Sequence, residues 1–64
     1  MMVKAVHVMQ GDVHHGRKVV GFATLPEKRG QIGILLEELF EGWGAGVMWY
    51  EPNDEIEVER GNSN

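Results

Sequence analysis

The sequence lacks cysteine altogether, contains only two prolines, and has no long apolar run. Without cysteine the chain cannot form a disulfide and offers no thiolate to zinc. No apolar run approaches the roughly 18 residues that a bilayer-spanning helix needs. The first residues also lack the apolar stretch of a signal peptide. These absences predict a soluble, cytoplasmic protein with no membrane partner.

Hydroxyl nucleophiles are almost as scarce, because Thr24 and Ser63 are the only threonine and serine. The pattern assigns Thr24 to a helix cap and Ser63 to a loose tail, so neither suits nucleophilic catalysis. His7 and Glu57 could act as general acid and base if the fold brought them together, but no sequence feature requires this. We therefore predict that the protein is not an enzyme and uses no cofactor.

The length of 64 residues allows one domain. We assign residues 1–60 to this domain and residues 61–64 to a flexible C-terminal tail. A domain of this size buries only about 60% of the surface that its unfolded chain exposes. Its stability is therefore marginal unless a partner or a second copy contributes.

Charge is divided unevenly along the chain. Residues 1–29 carry five bases and two acids, whereas residues 30–64 carry one base and eight acids, which gives a net charge of −4. This balance makes nonspecific nucleic-acid binding unfavourable, although basic hairpins of a dimer could still align into a positive strip. The acidic half is either a solvated surface or a face that docks on a basic protein. The residues of that face would be Glu37, Glu38, Glu41, Glu55, Glu57 and Glu59.

Periodicity predicts two N-terminal strands followed by a helix. Residues 3–10 and 18–25 have strand character, and the chain is expected to turn back between them as a hairpin within residues 11–16. If Gly11-Asp12 forms the turn, Met9 lies opposite His14. Thr24-Leu25-Pro26-Glu27 matches a capping box, and Gly42 suits a C-terminal cap. The apolar face of the predicted helix consists of Ile32, Leu35, Leu36, Leu39 and Phe40.

Two further strands complete the predicted fold. Residues 47–50 form the third strand, a tight turn follows at 51–54, and residues 55–59 alternate so that Ile56 and Val58 face a core. The predicted fold class is α+β: a single small β-β-α-β-β domain. Its antiparallel four-stranded sheet would have one helix packed on one face.

The second face of this sheet would be exposed and apolar. Neighbouring strand residues point to opposite sides, so Val47 and Trp49 lie on one face while Met48 and Tyr50 lie on the other. Because large apolar patches mark interaction sites, we expect a homodimer or higher homo-oligomer. The expected partner interface consists of Trp43, Met48, Trp49 and Tyr50.

A basic cluster around the first hairpin is the main candidate for ligand binding. Imidazole, ammonium and guanidinium groups beside a glycine-rich turn can hold an anion such as a nucleotide, on which an aromatic ring would stack. The candidate residues are His7, His14, His15, Arg17 and Lys18, with Trp49 and Tyr50. The alternative is a polar hairpin tip in water. No metal site is predicted, because adjacent strand histidines face opposite ways.

The leading hypothesis is a small non-enzymatic homo-oligomeric binding protein that captures an anionic, nucleotide-like ligand through this hairpin. Its size and acidity would fit an accessory or inhibitor protein of a phage or a bacterium. The alternative is an acidic interaction module that docks on a basic partner protein.

Overall fold

The computed structural model describes residues 1–37 and 45–61, in which nearly all regular structure is β-sheet. Strands β2, β3, β4 and β5 form a curled antiparallel sheet in that order, and β1 pairs with β6 in a separate two-stranded sheet. A bridge between Val13 and Glu59 joins the two sheets. The elements are β1 (Met2–Lys4), a 3₁₀ helix (Ala5–His7), β2 (Val13–His14), β3 (Arg17–Ala23), β4 (Ile32–Glu37), β5 (Ala45–Tyr50) and β6 (Glu55–Glu57).

The predicted α+β fold with a helix packed on the sheet is wrong. The described residues contain no helix longer than the 3₁₀ turn at Ala5–His7, and the segment assigned to the helix contains strand β4. The reason is that Ile32, Ile34 and Leu36 alternate, which satisfies a strand as well as the helical spacing satisfies a helix. Ile34 and Leu36 are fully buried. Residues 39, 40 and 42 of the predicted helix lie outside the described residues.

The predicted capping box forms two consecutive β-turns instead of a helix start. The amide of Lys28 donates to the Leu25 carbonyl at 2.9 Å, and the amide of Gln31 donates to the Lys28 carbonyl at 3.0 Å. Pro26 occupies the second position of the first turn, where its fixed φ is favourable. Gly30 has a φ of 75° in the second turn, a value that favours glycine. These turns connect β3 directly to β4.

The first hairpin turns at the end of the predicted segment 11–16, and not at Gly11-Asp12. The turn residues are His15 and Gly16, whose φ angles of 55° and 74° are those of a type I′ turn. Strand β2 is therefore short, and the register places His14 opposite Arg17 and Val13 opposite Lys18. The predicted strand at residues 3–10 is also wrong beyond Lys4, because the chain enters the 3₁₀ helix there.

The segment from residue 47 to residue 58 follows the sequence pattern closely. The turn at 51–54 is closed by a hydrogen bond of 3.0 Å from the Asp54 amide to the Glu51 carbonyl. After it, Ile56 and Val58 are buried while the glutamates between and beside them are exposed, as the alternation predicts. None of the helical segments among the described residues reaches the length and apolarity needed to cross a bilayer.

The core lies between the inner face of the curled sheet and the β1–β6 pair. Met48 and Tyr50 of β5 pack against it, which confirms that they point away from Val47 and Trp49. The buried apolar residues are Ala5, Val8, Val19, Ile34, Leu36, Ile56 and Val58. The strand registers place a second set of residues on the opposite side, which we call the outer face. It consists of Gly21, Ala23, Gly33, Leu35, Val47 and Trp49.

Candidate functional site

The structure separates the residues of the predicted anion site. His14 is buried, with 4% of its surface exposed, and it belongs to the core side of β2. Trp49 lies on the outer face of β5, so its ring and the His14 ring are on opposite sides of the sheet. His7 is exposed in the 3₁₀ helix. The predicted set therefore does not converge on one ligand.

His14 and Tyr50 do meet, but they bind each other. The His14 Nδ1 atom lies 2.6 Å from the Glu57 carbonyl oxygen, to which it must donate because a carbonyl only accepts. In the neutral ring, Nε2 then accepts from the Tyr50 hydroxyl at 2.7 Å. Burial and the nearby charge of Asp54 raise the pKa of Tyr50, which keeps the phenol protonated. These hydrogen bonds connect β2 to β5 and β6. Because both ring nitrogens of His14 and the Tyr50 hydroxyl already have partners within the protein, they are not available to a ligand.

Three basic residues of the hairpin remain accessible. His15 and Lys18 are exposed and Arg17 is half-buried, all within or next to the left-handed turn. None of them forms an ion pair within residues 1–37 and 45–61. The His15 ring lies 4.2 Å from the ring of His14, centroid to centroid. The hairpin tip is therefore a small basic surface, and the buried His14 ring lies against the ring of His15 on one side of it.

An ion pair that the sequence analysis missed joins the buried carboxylate of Asp12 to the partly exposed guanidinium of Arg60. The Nε and terminal nitrogens of Arg60 each donate to a different carboxylate oxygen of Asp12, both at 2.8 Å. The Met9 amide donates to the same carboxylate at 2.9 Å. The hydrogen bonds from Arg60 hold the pKa of Asp12 below its usual value. The one signal in the sequence was that Arg60 is the only base of residues 30–64.

The outer face carries an aromatic ring lying over a glycine. A Cβ atom added to Gly33 would come within 2.9 Å of the Trp49 ring and of a Val47 methyl group, so the missing side chain makes room for them. The Lys28 ammonium lies 5.5 Å from the centroid of the same ring, a favourable cation–π distance. Val47 beside it is 36% exposed. The outer face thus presents the apolar side chains of Val47 and Trp49 near strand β5.

Strand β5 is the last strand of the four-stranded sheet. It pairs with β4 on one side, and on the other side the described residues supply no backbone hydrogen bond to it. Residues 45–50 include no charged residue and no proline. Natural proteins commonly protect an edge strand with lysine, proline or a bulge, because unpaired backbone groups recruit another strand. Strand β5 has none of these protections in its own sequence.

An apolar groove of about 250 Å³ opens on the side of the sheet opposite to the outer face. It is lined by Ala5, Val6, Val8, Phe22 and Ile32, and none of these was among the predicted ligand-binding residues. The described residues contain no group of three histidine, cysteine or carboxylate side chains arranged to hold a metal. The groove therefore offers apolar contact and no charge to an anion.

The predicted acidic face is only partly described. Glu38 and Glu41 lie outside the described residues, as does Trp43 of the predicted interface. Glu55 and Glu59 are exposed, and Glu57 accepts a hydrogen bond of 2.7 Å from the N-terminal amine. The exposed glutamates along β6 would be accessible to a basic partner.

No protein-family model matches this chain, and searches of curated proteins and of solved structures find no significant match.

Proposed function

We propose that this protein is a small non-enzymatic binding protein that acts as a homo-oligomer and makes contact through strand β5 and the neighbouring outer face. The observation that carries this proposal is that the outer edge of β5 receives no backbone hydrogen bond from residues 1–37 and 45–61, together with the apolar side chains on the outer side of that strand. Val47 and Trp49 provide that apolar surface, and burying it would stabilise an assembly by about 25 cal/mol per Å². A domain of this size buries a smaller fraction of its surface than a larger domain does, so additional apolar burial in an assembly is a large addition to its stability.

The proposal narrows the interface predicted from the sequence. Met48 and Tyr50 are directed to the core, and Tyr50 is also bound to His14, so they contribute chiefly through their backbone. Trp49 and Val47 remain the side chains available to a second copy. The self-association expected from the apolar sheet is therefore assigned to one edge and one side of the sheet.

Light scattering over a range of protein concentrations tests this proposal. We expect the wild-type chain to have the mass of an oligomer and the Val47→Lys variant to be monomeric, because the substitution replaces an apolar contact of the interface with a charge that is repelled by the Lys28 ammonium beside Trp49 of the second copy. Met9→Lys is the matched control, since Met9 is 56% exposed and distant in sequence from β5. This variant should keep the wild-type mass. A wild-type protein that stays monomeric at every concentration would contradict the proposal.

A second candidate function is anion capture at the hairpin tip by His15, Arg17 and Lys18. The observation that favours it is that these three residues lie in or beside a left-handed turn and form no ion pair within the described residues. Compared with the site predicted from the sequence, His14 is removed because it is buried and bound. The ligand would be a phosphate-bearing molecule held by charge-assisted hydrogen bonds.

Thermal denaturation in the presence of ATP, GTP or inorganic phosphate tests the second candidate. Capture of the anion should raise the melting temperature, and Arg17→Ala should remove that rise because the bidentate donor is lost. Lys4→Ala is the control, because Lys4 is an exposed base on the separate β1–β6 sheet. An unchanged melting temperature with all three anions would exclude capture at the tip.

A further inference from the structure

Strand β5 offers both backbone groups and side chains to a strand of suitable sequence. Its outer side carries Val47 and Trp49, and its inner side carries Met48 and Tyr50. The strand has no charge of its own to repel an identical copy, and no proline that would interrupt a ladder of hydrogen bonds. An antiparallel strand can always pair with itself about a two-fold axis, because its donors and acceptors are then matched by symmetry.

We infer that strand β5 pairs edge to edge with β5 of a second copy, antiparallel, with Met48 opposite Met48 of that copy. This inference rests on the proposed homo-oligomer and specifies its geometry. The two four-stranded sheets would become one continuous sheet of eight strands, with both outer faces on the same side. The occupant of the edge is thus another molecule of this chain.

Side-chain size selects this register among those that keep the outer faces together. Centring the pair on Met48 places Val47 opposite Trp49 and Gly46 opposite Tyr50 in both directions. A β-branched residue opposite an aromatic one is a favourable cross-strand pair, and glycine leaves room for the large tyrosine ring. Glu51 falls opposite Ala45, so that no two carboxylates face each other. Centring on Trp49 would instead place the Glu51 carboxylate opposite Val47 and bring Pro52, which has no amide hydrogen, into the ladder opposite Gly46.

The surroundings of Trp49 favour an edge contact over a face-to-face contact. The Lys28 ammonium lies 5.5 Å from the centre of the ring. A second sheet stacked on the outer face would have to displace this cation or bury it, and burying an unpaired charge is costly. Pairing at the edge leaves the ammonium in water. The cation–π contact can therefore persist in the assembly.

Disulfide trapping tests the register, and the chain suits it because it has no native cysteine. Directly opposed residues of an antiparallel pair have Cα atoms about 4.5 to 5.5 Å apart, which is within the range for a disulfide. Oxidised Met48→Cys should therefore run at the mass of a dimer on a non-reducing gel. Leu35→Cys, in the middle of the outer face, should stay at the mass of a monomer. Far-ultraviolet circular dichroism of each variant confirms that the fold is kept.

A second pair of variants keeps the test decisive if Met48→Cys disturbs the core. Val47→Cys and Trp49→Cys should each cross-link weakly with themselves but efficiently with one another when the two proteins are mixed. Efficient trapping of Leu35→Cys, or of Val47→Cys with itself, would overturn the inference and indicate a stacked or shifted pair. In that outcome light scattering would still show an oligomer. A monomeric wild-type protein would instead refute the proposed function itself.

Discussion

Replacement of Leu36 by alanine is expected to remove most of the stability of the protein. Leu36 is fully buried in the core, and truncating such a side chain costs about 2 to 5 kcal/mol. A chain of this length has a total free energy of unfolding of only roughly 3 to 10 kcal/mol, at about 0.05 to 0.15 kcal/mol per residue. Urea denaturation at one fixed protein concentration measures the loss, because self-association would otherwise change the apparent stability.

The neighbouring residue provides the matched control for Leu36. Leu35 lies on the outer face of β4 and is half-buried, so Leu35→Ala should lower the free energy of unfolding by no more than about 1 kcal/mol. A helix would place both leucines on one buried face, and the two variants would then be equally unstable. Equal losses would therefore contradict strand β4 and favour the helix that the sequence suggested.

This comparison also shows where sequence reasoning was limited. The spacing of Ile32, Leu35 and Leu36 fits a helix only if Ile34 is left out of the pattern, yet Ile34 is fully buried. A short apolar segment fits both the 3.6-residue period of a helix and the two-residue period of a strand, and only the segments that pack against it decide which structure forms. Here β4 is paired on both sides, with β3 and with β5. Ile34 and Leu36 fill its buried inner face, but Leu35 on its outer face is also apolar, so β4 lacks the apolar-polar alternation that identifies a strand with one face in water.

Where only one side of a strand is buried, the prediction was better. The alternation of residues 55–59 fixed which side chains are buried, and the four-residue turn before it follows from Pro52 and Asn53. Both features depend on local chemistry. The first hairpin was predicted within residues 11–16 but its register was not, because Gly11-Asp12 and His15-Gly16 both suit a turn and His15 adopts a positive φ that is uncommon outside glycine.

The candidate site was predictable in composition and not in geometry. His14 and Tyr50 were both selected for their chemistry, and they do lie together, 36 positions apart in the chain. Their contact depends on the curl of the sheet, which brings β2 towards β5, and no local pattern encodes that curl. Alternation predicted that Trp49 and Tyr50 face opposite sides without deciding which one is directed outwards, and in the structure Trp49 lies on the outer face while Tyr50 packs against the core. Alternation within one strand can be read from neighbouring residues in the sequence, whereas a contact between strands that are far apart in the chain cannot.

The second large effect is expected when the carboxylate of Asp12 is replaced by an amide. Asp12→Asn should lower the free energy of unfolding by about 2 to 3 kcal/mol, since hydrogen bonds to charged groups contribute about 1.5 to 3 kcal/mol each. The amide would lose the bidentate acceptor and turn a donor towards Arg60. The Arg60 side chain is 34% exposed, so its guanidinium can regain water and the loss stays below that of a fully buried charge. Thermal and urea denaturation at pH 7 measure the change.

Glu57→Gln is the matched control, because Glu57 belongs to an ion pair of similar length but different exposure. Its carboxylate lies 2.7 Å from the N-terminal amine, with side-chain exposures of 66% and 51%, whereas the Asp12 side chain is 3% exposed. Exposed pairs contribute about 0 to 1 kcal/mol. The Glu57 variant should therefore remain close to wild type, and equal losses in the two variants would show that burial of Asp12 contributes nothing.

The dependence of stability on pH separates the charge of Asp12 from its packing. Because the pKa of Asp12 is lowered in the folded state, the unfolded chain binds the proton first as pH falls. The stabilisation is therefore complete above the unfolded value of about 3.9, and it is lost as pH falls towards the lower folded value. The difference in unfolding free energy between wild type and Asp12→Asn should therefore shrink across that pH range. A difference that stays constant from pH 7 to pH 2 would show that the loss comes from altered packing of the side chain and not from its charge.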